Sequence, residues 1–277
     1  MKIAIVFLTN EPKEGTIEFA KRVKEETNYD VFIVADDNSK EYDVCCGVKI
    51  IQEYDVVCSY TGYFNSNISD NSTHIKKNPI AMDKFLYSFC EHTDVYDYDF
   101  VFVLEDDVFV PSVSAIKNFI NKYSCYDLVT PNNFLKNDTV MDWHWRSVFD
   151  KHEPPYYYSM VCAMGLSKKM FSAIKDYVKK NKTLFYIEVM FNTICHHRGL
   201  SVFAPLELKS IVWMGSWGRD EWALLPENFF HPMKNINEHE DYRETILDDM
   251  INVIDGTWIP VNKLPKFITE VMPQKQK

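Results

Sequence analysis

The chain has 277 residues, 46% of them hydrophobic and 25% charged, with only eight glycines, a composition that excludes disordered, collagen-like and fibrous proteins. Forty acidic residues against thirty basic ones leave a formal charge of −10, which repels a polyanion and argues against nucleic acid as the main partner. Aromatic residues make up 15% of the chain, enough for sugar-stacking surfaces or for an ordinary core.

Residues 3–8 are an unbroken apolar run of strand length. The run is too short to span a membrane and has no small-residue cleavage site after it, so the reading is a buried first strand, no transmembrane segment and a cytoplasmic chain. The turn Thr9-Asn10-Glu11-Pro12 ends it. A charged, helix-prone stretch over 15–26 leads to a second apolar strand over 31–35, which stops at Asp36-Asp37-Asn38-Ser39. Strand, amphipathic helix and strand form a βαβ unit with parallel strands and a right-handed crossover. Ligands of open α/β sheets lie beyond the carboxyl ends of the strands, here Thr9-Asn10 and Asp36-Asp37, where a nucleotide is a natural occupant. A polar stretch over 62–78 reads as a long surface loop, and helical periodicity resumes over 80–90.

Seven cysteines, an odd number set in apolar stretches such as Val161-Cys162-Ala163, predict free thiols in a reducing compartment rather than a disulfide framework. In Cys195-His196-His197 neighbouring helical side chains point about 100° apart and do not converge on one ion. The sequons at Asn67, Asn71, Asn137 and Asn181 carry no weight without a secretory segment.

The most informative stretch runs from Tyr98 to Pro111, where an apolar strand enters Glu105-Asp106-Asp107 and then returns to apolar residues. Three carboxylates packed at a strand end destabilise a fold unless a cation neutralises them, and an all-oxygen ligand set suits Mg²⁺ or Mn²⁺, which usually shares its coordination with substrate phosphates. Asp107 is the first metal ligand on this reading. His231, as a neutral imidazole, is a suitable further ligand, and Lys234 offers a point charge to a leaving phosphate.

Leu104-Glu105-Asp106-Asp107-Val108-Phe109-Val110 resembles the DxD element of GT-A-fold glycosyltransferases, whose strand-end acids bind the divalent metal and the ribose of a nucleotide-sugar donor. Asp36-Asp37-Asn38-Ser39 is similar to the acidic turn those enzymes use around the nucleoside. The stretch over 158–167, followed by a helix from Lys168, resembles their acceptor-side strand. Phe185-Tyr186-Ile187-Glu188 places an acid at a helix start, where inverting members carry their catalytic base. Phe229-Phe230-His231-Pro232-Met233-Lys234 looks like the C-terminal histidine that completes the metal shell. The departure is Glu105 in the first acidic place, and a glutamate still accepts a hydrogen bond from a ribose hydroxyl. The richness in Lys, Asn, Tyr and Phe looks like glycosyltransferases encoded by large DNA viruses, which would put the chain in the host cytoplasm.

The resemblance implies a single α/β domain over 1–277 with a central mixed, mostly parallel sheet flanked by helices. Residues 1–110 would be the donor half, and 111–277 the acceptor half with the metal-ligand tail. It implies a metal-dependent, inverting glycosyltransferase that moves a sugar from a UDP-sugar donor to a glycan or glycoprotein hydroxyl. Thr9, Asn10, Asp36, Asp37, Glu105, Asp106 and Lys234 would bind the donor, with Asp107 and His231 holding Mn²⁺ or Mg²⁺. Apart from any family, an acceptor hydroxyl must lose its proton as it attacks, and Glu188 between apolar neighbours is the candidate base, with Asp220 or Glu221 in reserve. Trp217, Trp143, Asp220 and Tyr158 are the candidate sugar contacts, since carbohydrate C–H faces stack on aromatic rings. A nucleotidyltransferase and a non-catalytic carbohydrate-binding module are the alternatives.

Overall fold

Every residue of the first strand, β1 (Ile3–Thr9), is buried, as an apolar run without alternation requires when a parallel sheet is covered on both faces. The structure, a computed structural model, describes residues 1–37, 39–42, 46–52, 80–137, 145–149, 152–181 and 184–244. In chain order β1 is followed by α1 (Glu14–Glu26), β2 (Asp30–Ala35), β3 (Lys49–Ile51), α2 (Ala81–Glu91), β4 (Phe100–Glu105), α3 (Val113–Tyr123), β5 (Leu128–Val129) and β6 (Phe134–Leu135). Then come α4 (Trp145–Phe149), β7 (Tyr157–Tyr158), β8 (Ala163–Ser167), α5 (Lys168–Asn181), α6 (Ile187–His197), β9 (Val202–Phe203) and α7 (Arg219–Leu224).

The main sheet has seven strands in the order β3-β2-β1-β4-β8-β5-β9. β3, β2, β1 and β4 are parallel, β8 runs antiparallel between β4 and β5, and β9 pairs parallel to β5. This is the mixed, mostly parallel α/β sheet expected. Alternation along the strands sorts the core into two layers. Ala4, Val6, Leu8, Val101 and Val103 pack with α2, α5 and α6. Ile3, Ile5, Phe7, Phe100, Phe102 and Leu104 pack with α1 and α3. Strands from both 1–110 and 111–277 belong to this one sheet.

The stretch over 158–167, expected as one strand, is two. Tyr157–Tyr158 pairs with β6 in a separate two-stranded sheet, and Ala163–Ser167 enters the main sheet. The chain changes sheets between them, which apolar content alone does not reveal. The cysteines Cys46, Cys90, Cys125, Cys162 and Cys195 are reduced and in no disulfide. Cys195, His196 and His197 go to different partners: Ser201 O, Asn133 Oδ1 and Pro155 O. Among the described residues no helix is long and apolar enough to cross a membrane. The predicted loop over 62–78 and the sequons at Asn67 and Asn71 lie outside the described residues.

Gly15 lets the C-terminal segment settle on α1. A Cβ there would sit 2.3 Å from the carbonyl oxygen of Ile236. In an open helix Gly→Ala stabilises by up to about 1 kcal/mol. Here a backbone clash opposes that gain, and Gly15→Ala is expected to cost about 1–3 kcal/mol, measured by urea denaturation. A neutral or stabilised variant would show that the contact yields.

Candidate functional site

Strand order reverses between β1 and β4, with β2 and β3 on one side and β8, β5 and β9 on the other, and a crevice opens beyond the carboxyl ends of strands at such a switch point. A cavity of about 580 Å³ lies there, bounded by Thr9, Asn10, Lys13, Asp36, Glu105, Asp106, Asp107 and Lys234 among others. Its floor is tied to the sheet. Asp106 N–H donates to Leu8 O at 2.9 Å, and the Thr9 hydroxyl donates to Asp106 Oδ2 at 2.5 Å. Asp36 N–H donates to Thr9 O at 3.0 Å, and the Asp36 carboxylate accepts from the Ala81 N–H that opens α2. Asp37 stands outside the cavity lining, held by Ser39 N–H and the Tyr42 hydroxyl, and these hydrogen bonds lower its pKa to about 2.

The C-terminal segment reaches the acidic triplet because it is clamped on both sides. Phe109 and Phe230 exchange backbone hydrogen bonds, Met233 N–H donates to Asp107 O at 2.8 Å, and His231 N–H donates to Ser210 O at 3.1 Å. His231 is therefore buried beside Asp107, which is 7% exposed. The Lys234 ammonium donates to Asp107 Oδ2. His231 Nδ1 lies 2.8 Å from Val212 O. A carbonyl only accepts, so Nδ1 carries the proton and Nε2 faces Asp107 Oδ1 at 3.4 Å.

Whether these groups suit a divalent cation is decided by their chemistry. Asp107 Oδ1 is buried without a hydrogen bond, a costly state for a carboxylate oxygen. One ligand atom each of Glu105, Cys162 and His231 lies within 4.8 Å of the others. Burial and the Asp107 charge push the Glu105 carboxyl above its ordinary range, and burial does the same to Asp106. Burial also opposes ionisation of Asp107, but His231 and Lys234 outweigh it and hold that carboxyl at about 2. Burial disfavours a charged His231, yet Asp107 outweighs it and raises the imidazole above its usual value. Excess negative charge and a buried carboxylate oxygen facing an imidazole fit a cation.

Glu188 sits in the first turn of α6, 9% exposed. Burial, then the charge of Glu105, raises its carboxyl to about 7. Its neighbour Ile187 lines the cavity.

The expected sugar contacts are placed differently from one another. Trp217 is half-buried, donates Nε1–H to His231 O at 2.9 Å and packs edge-on against Phe230. That gives it a role in holding the segment that carries His231. Tyr158 packs edge-on against Trp145 at the margin of the core. Trp143 lies outside the described residues, as does the side chain of Asp220, which belongs to α7. Trp213 and Met214, 65% and 82% exposed, present apolar surface on the loop that crosses His231.

Sequence reasoning passed over Lys13, Lys84 and Cys162. Lys13 lies just past the turn after β1 and lines the cavity. Lys84 is fully buried, and its ammonium donates to Ala35 O at 2.6 Å and Asp36 O at 3.0 Å. The only sequence signal was a lysine inside an apolar helix. Lys84→Met leaves both carbonyls short of a donor and is expected to cost about 2–3 kcal/mol as the Asp36 turn loosens. Denaturation checks this, and unchanged stability would mean water replaces the ammonium.

No protein-family model matches this chain, and no characterised protein matches it in sequence. Among solved structures it is similar to the bifunctional IspDF of Campylobacter jejuni, with 11% identity and a TM-score of 0.37 over 73% of this chain and 49% of that one. The match thus spans about half the length of that enzyme. A protein of Desulfovibrio desulfuricans G20 assigned as a nucleotide-diphospho-sugar transferase gives 13% and 0.32 over 73% and 78%. Mouse xyloside xylosyltransferase 1 in its apo form gives 12% and 0.35 over 74% and 84%. Likenesses this remote carry nothing about activity.

Proposed function

We propose that this chain is a divalent-metal-dependent, inverting glycosyltransferase that takes a nucleotide-diphosphate sugar, UDP-linked by preference, and delivers the sugar to a glycan or glycoprotein hydroxyl. The observation that carries it is the meeting of the Glu105-Asp106-Asp107 strand end and Lys234, which line the switch-point cavity, with His231 beside Asp107. On this reading 1–277 forms one functional unit, since the two halves contribute to one site.

Asp107 and His231 would hold the cation, which when bound neutralises the charge that develops on a diphosphate leaving group. Thr9, Asn10, Asp36, Glu105 and Asp106 orient the nucleoside and its ribose, and Asp37 steadies the turn that carries Asp36. Lys234 exchanges its bond to Asp107 for one to the departing phosphate. Glu188, with a carboxyl near 7, takes the acceptor hydroxyl's proton as the oxygen attacks the anomeric carbon. Asp220, Trp143 and Tyr158 are the proposed acceptor contacts, and Trp217 steadies the segment that carries His231.

Nucleotidyl transfer is the second reading, favoured by Lys13, a cation on the loop after β1 that lines the cavity and suits a triphosphate. A screen of UDP- and GDP-sugars, and of nucleoside triphosphates with sugar phosphates, each with Mn²⁺, separates the two. Glycosyl transfer or hydrolysis releases nucleoside diphosphate, abolished by chelator, whereas nucleotidyl transfer releases pyrophosphate from a nucleoside triphosphate. Binding of glycan without any need for nucleotide or cation would replace both with a carbohydrate-binding module.

A further inference from the structure

We propose that Cys162 is a ligand of the cation centre, so that the site takes a thiophilic divalent ion of the zinc class in preference to Mg²⁺. The inference rests on the metal-dependent reading of the same site and names its ion. Cys162 directly precedes β8, whose first residue Ala163 pairs with Leu104, so the thiol residue lies across from Glu105. The Glu105 N–H donates to Cys162 O at 2.7 Å, fixing the two backbones together. Cys162 is 6% exposed, and its Sγ, a Glu105 oxygen and a His231 nitrogen lie within 4.8 Å of one another. Asp107 Oδ1, buried and without a hydrogen bond, lies 3.4 Å from the same imidazole.

The donor set is therefore oxygen, nitrogen and sulfur. Mg²⁺ demands oxygen ligands in near-octahedral geometry and gains little from a thiolate, whereas Zn²⁺, Co²⁺ and Cd²⁺ accept all three donor types. Among the described residues the other buried thiols, Cys90 and Cys195, are directed at backbone carbonyls, Phe171 O and Ser201 O, whereas the Cys162 thiol is hydrogen-bonded to the Glu105 carboxyl. On binding, a metal–sulfur bond forms and the thiol proton passes to the buffer, with no change of oxidation state.

The test titrates Co²⁺ into the metal-free full chain and follows absorption. A sulfur-to-cobalt charge-transfer band is expected in the near ultraviolet, lost in Cys162→Ser and Cys162→Ala and kept in Cys46→Ser and Cys125→Ser, which change exposed thiols. Calorimetry should show Cd²⁺ affinity falling at least about tenfold in Cys162→Ser, with Mg²⁺ affinity within about twofold, which also reports that the variant is folded. A wild-type cobalt complex without the band, or a band retained in both Cys162 variants, overturns the proposal. UDP binding measured with Mg²⁺ keeps the two readings apart. A Cys162-dependent band without any UDP binding leaves the ligand and removes the donor reading, and Asp107-dependent UDP binding without the band does the reverse.

Discussion

Asp107→Ala is expected to lower cation-dependent turnover of a nucleotide sugar by about a thousandfold or more, the several kcal/mol that a Lewis acid contributes at a leaving diphosphate. Asp107 joins three groups, two through its side chain and one through its backbone. One oxygen faces His231 Nε2, the other accepts from Lys234, and the backbone carbonyl beside them accepts from Met233 N–H. The backbone bond survives the substitution, so the C-terminal segment stays clamped while the charge disappears. Asp107→Asn is the finer variant, since it keeps the volume and one oxygen while removing the charge and turning the other oxygen into an N–H donor, and it should lose nearly as much activity. Nucleoside diphosphate release with Mn²⁺ reads the chemistry, and calorimetry with UDP reads the binding. An alanine variant that turns over like the wild type sinks the metal assignment. Asp107 also has an acid-side signature. Its folded carboxyl, at about 2, lies below the ordinary 3.8, so its contribution to folding is complete above the unfolded value and fades as pH falls toward about 2. The alanine variant should lack that part of the acid unfolding profile.

The strands β1 and β2 were legible because they are buried on both faces, which turns residues 3–8 and 31–35 into unbroken apolar runs. The acidic triplet was legible for the opposite reason, as charge where the apolar pattern of β4 stops. What escaped depends on contacts between distant segments. Nothing local in Val161-Cys162-Ala163 says that β8 will run antiparallel beside β4 and set its cysteine across from Glu105. Lys84 looked like one charged residue of an amphipathic helix, yet its ammonium closes the end of β2. Trp217 drew attention through its flanking glycines, but its indole N–H is committed to His231 O. The exposed tryptophan of that loop is Trp213, which no pattern in the sequence distinguishes from the others. His231 was placed by resemblance, and the Phe109 to Phe230 bridge supplies the physical cause.

Glu188→Gln should reduce kcat by about 10²–10⁴, the usual worth of a positioned general base, while donor binding stays near wild type. The pH dependence follows from the raised carboxyl. A base must be ionised to accept a proton, so wild-type kcat rises with pH as the raised Glu188 carboxyl ionises, and the glutamine variant loses that limb. Stability runs the other way. Because the folded value lies above the ordinary 4.5, folding favours the protonated form. Stability is therefore complete below about 4.5 and is lost progressively as pH rises toward about 7. Glutamine cannot ionise, so in chelator-treated protein above neutral pH the variant should be more stable by up to about 3 kcal/mol. The two readouts together separate a base from a structural residue. A glutamate that merely caps α6 or fills the core would lower stability when replaced and leave the pH profile of the residual activity unchanged. A base held ionised against its burial raises the melting temperature on replacement and removes the acid limb, a trade of stability for activity. Full transfer activity in the glutamine variant would eliminate Glu188 and move the search to Asp220 and Glu221.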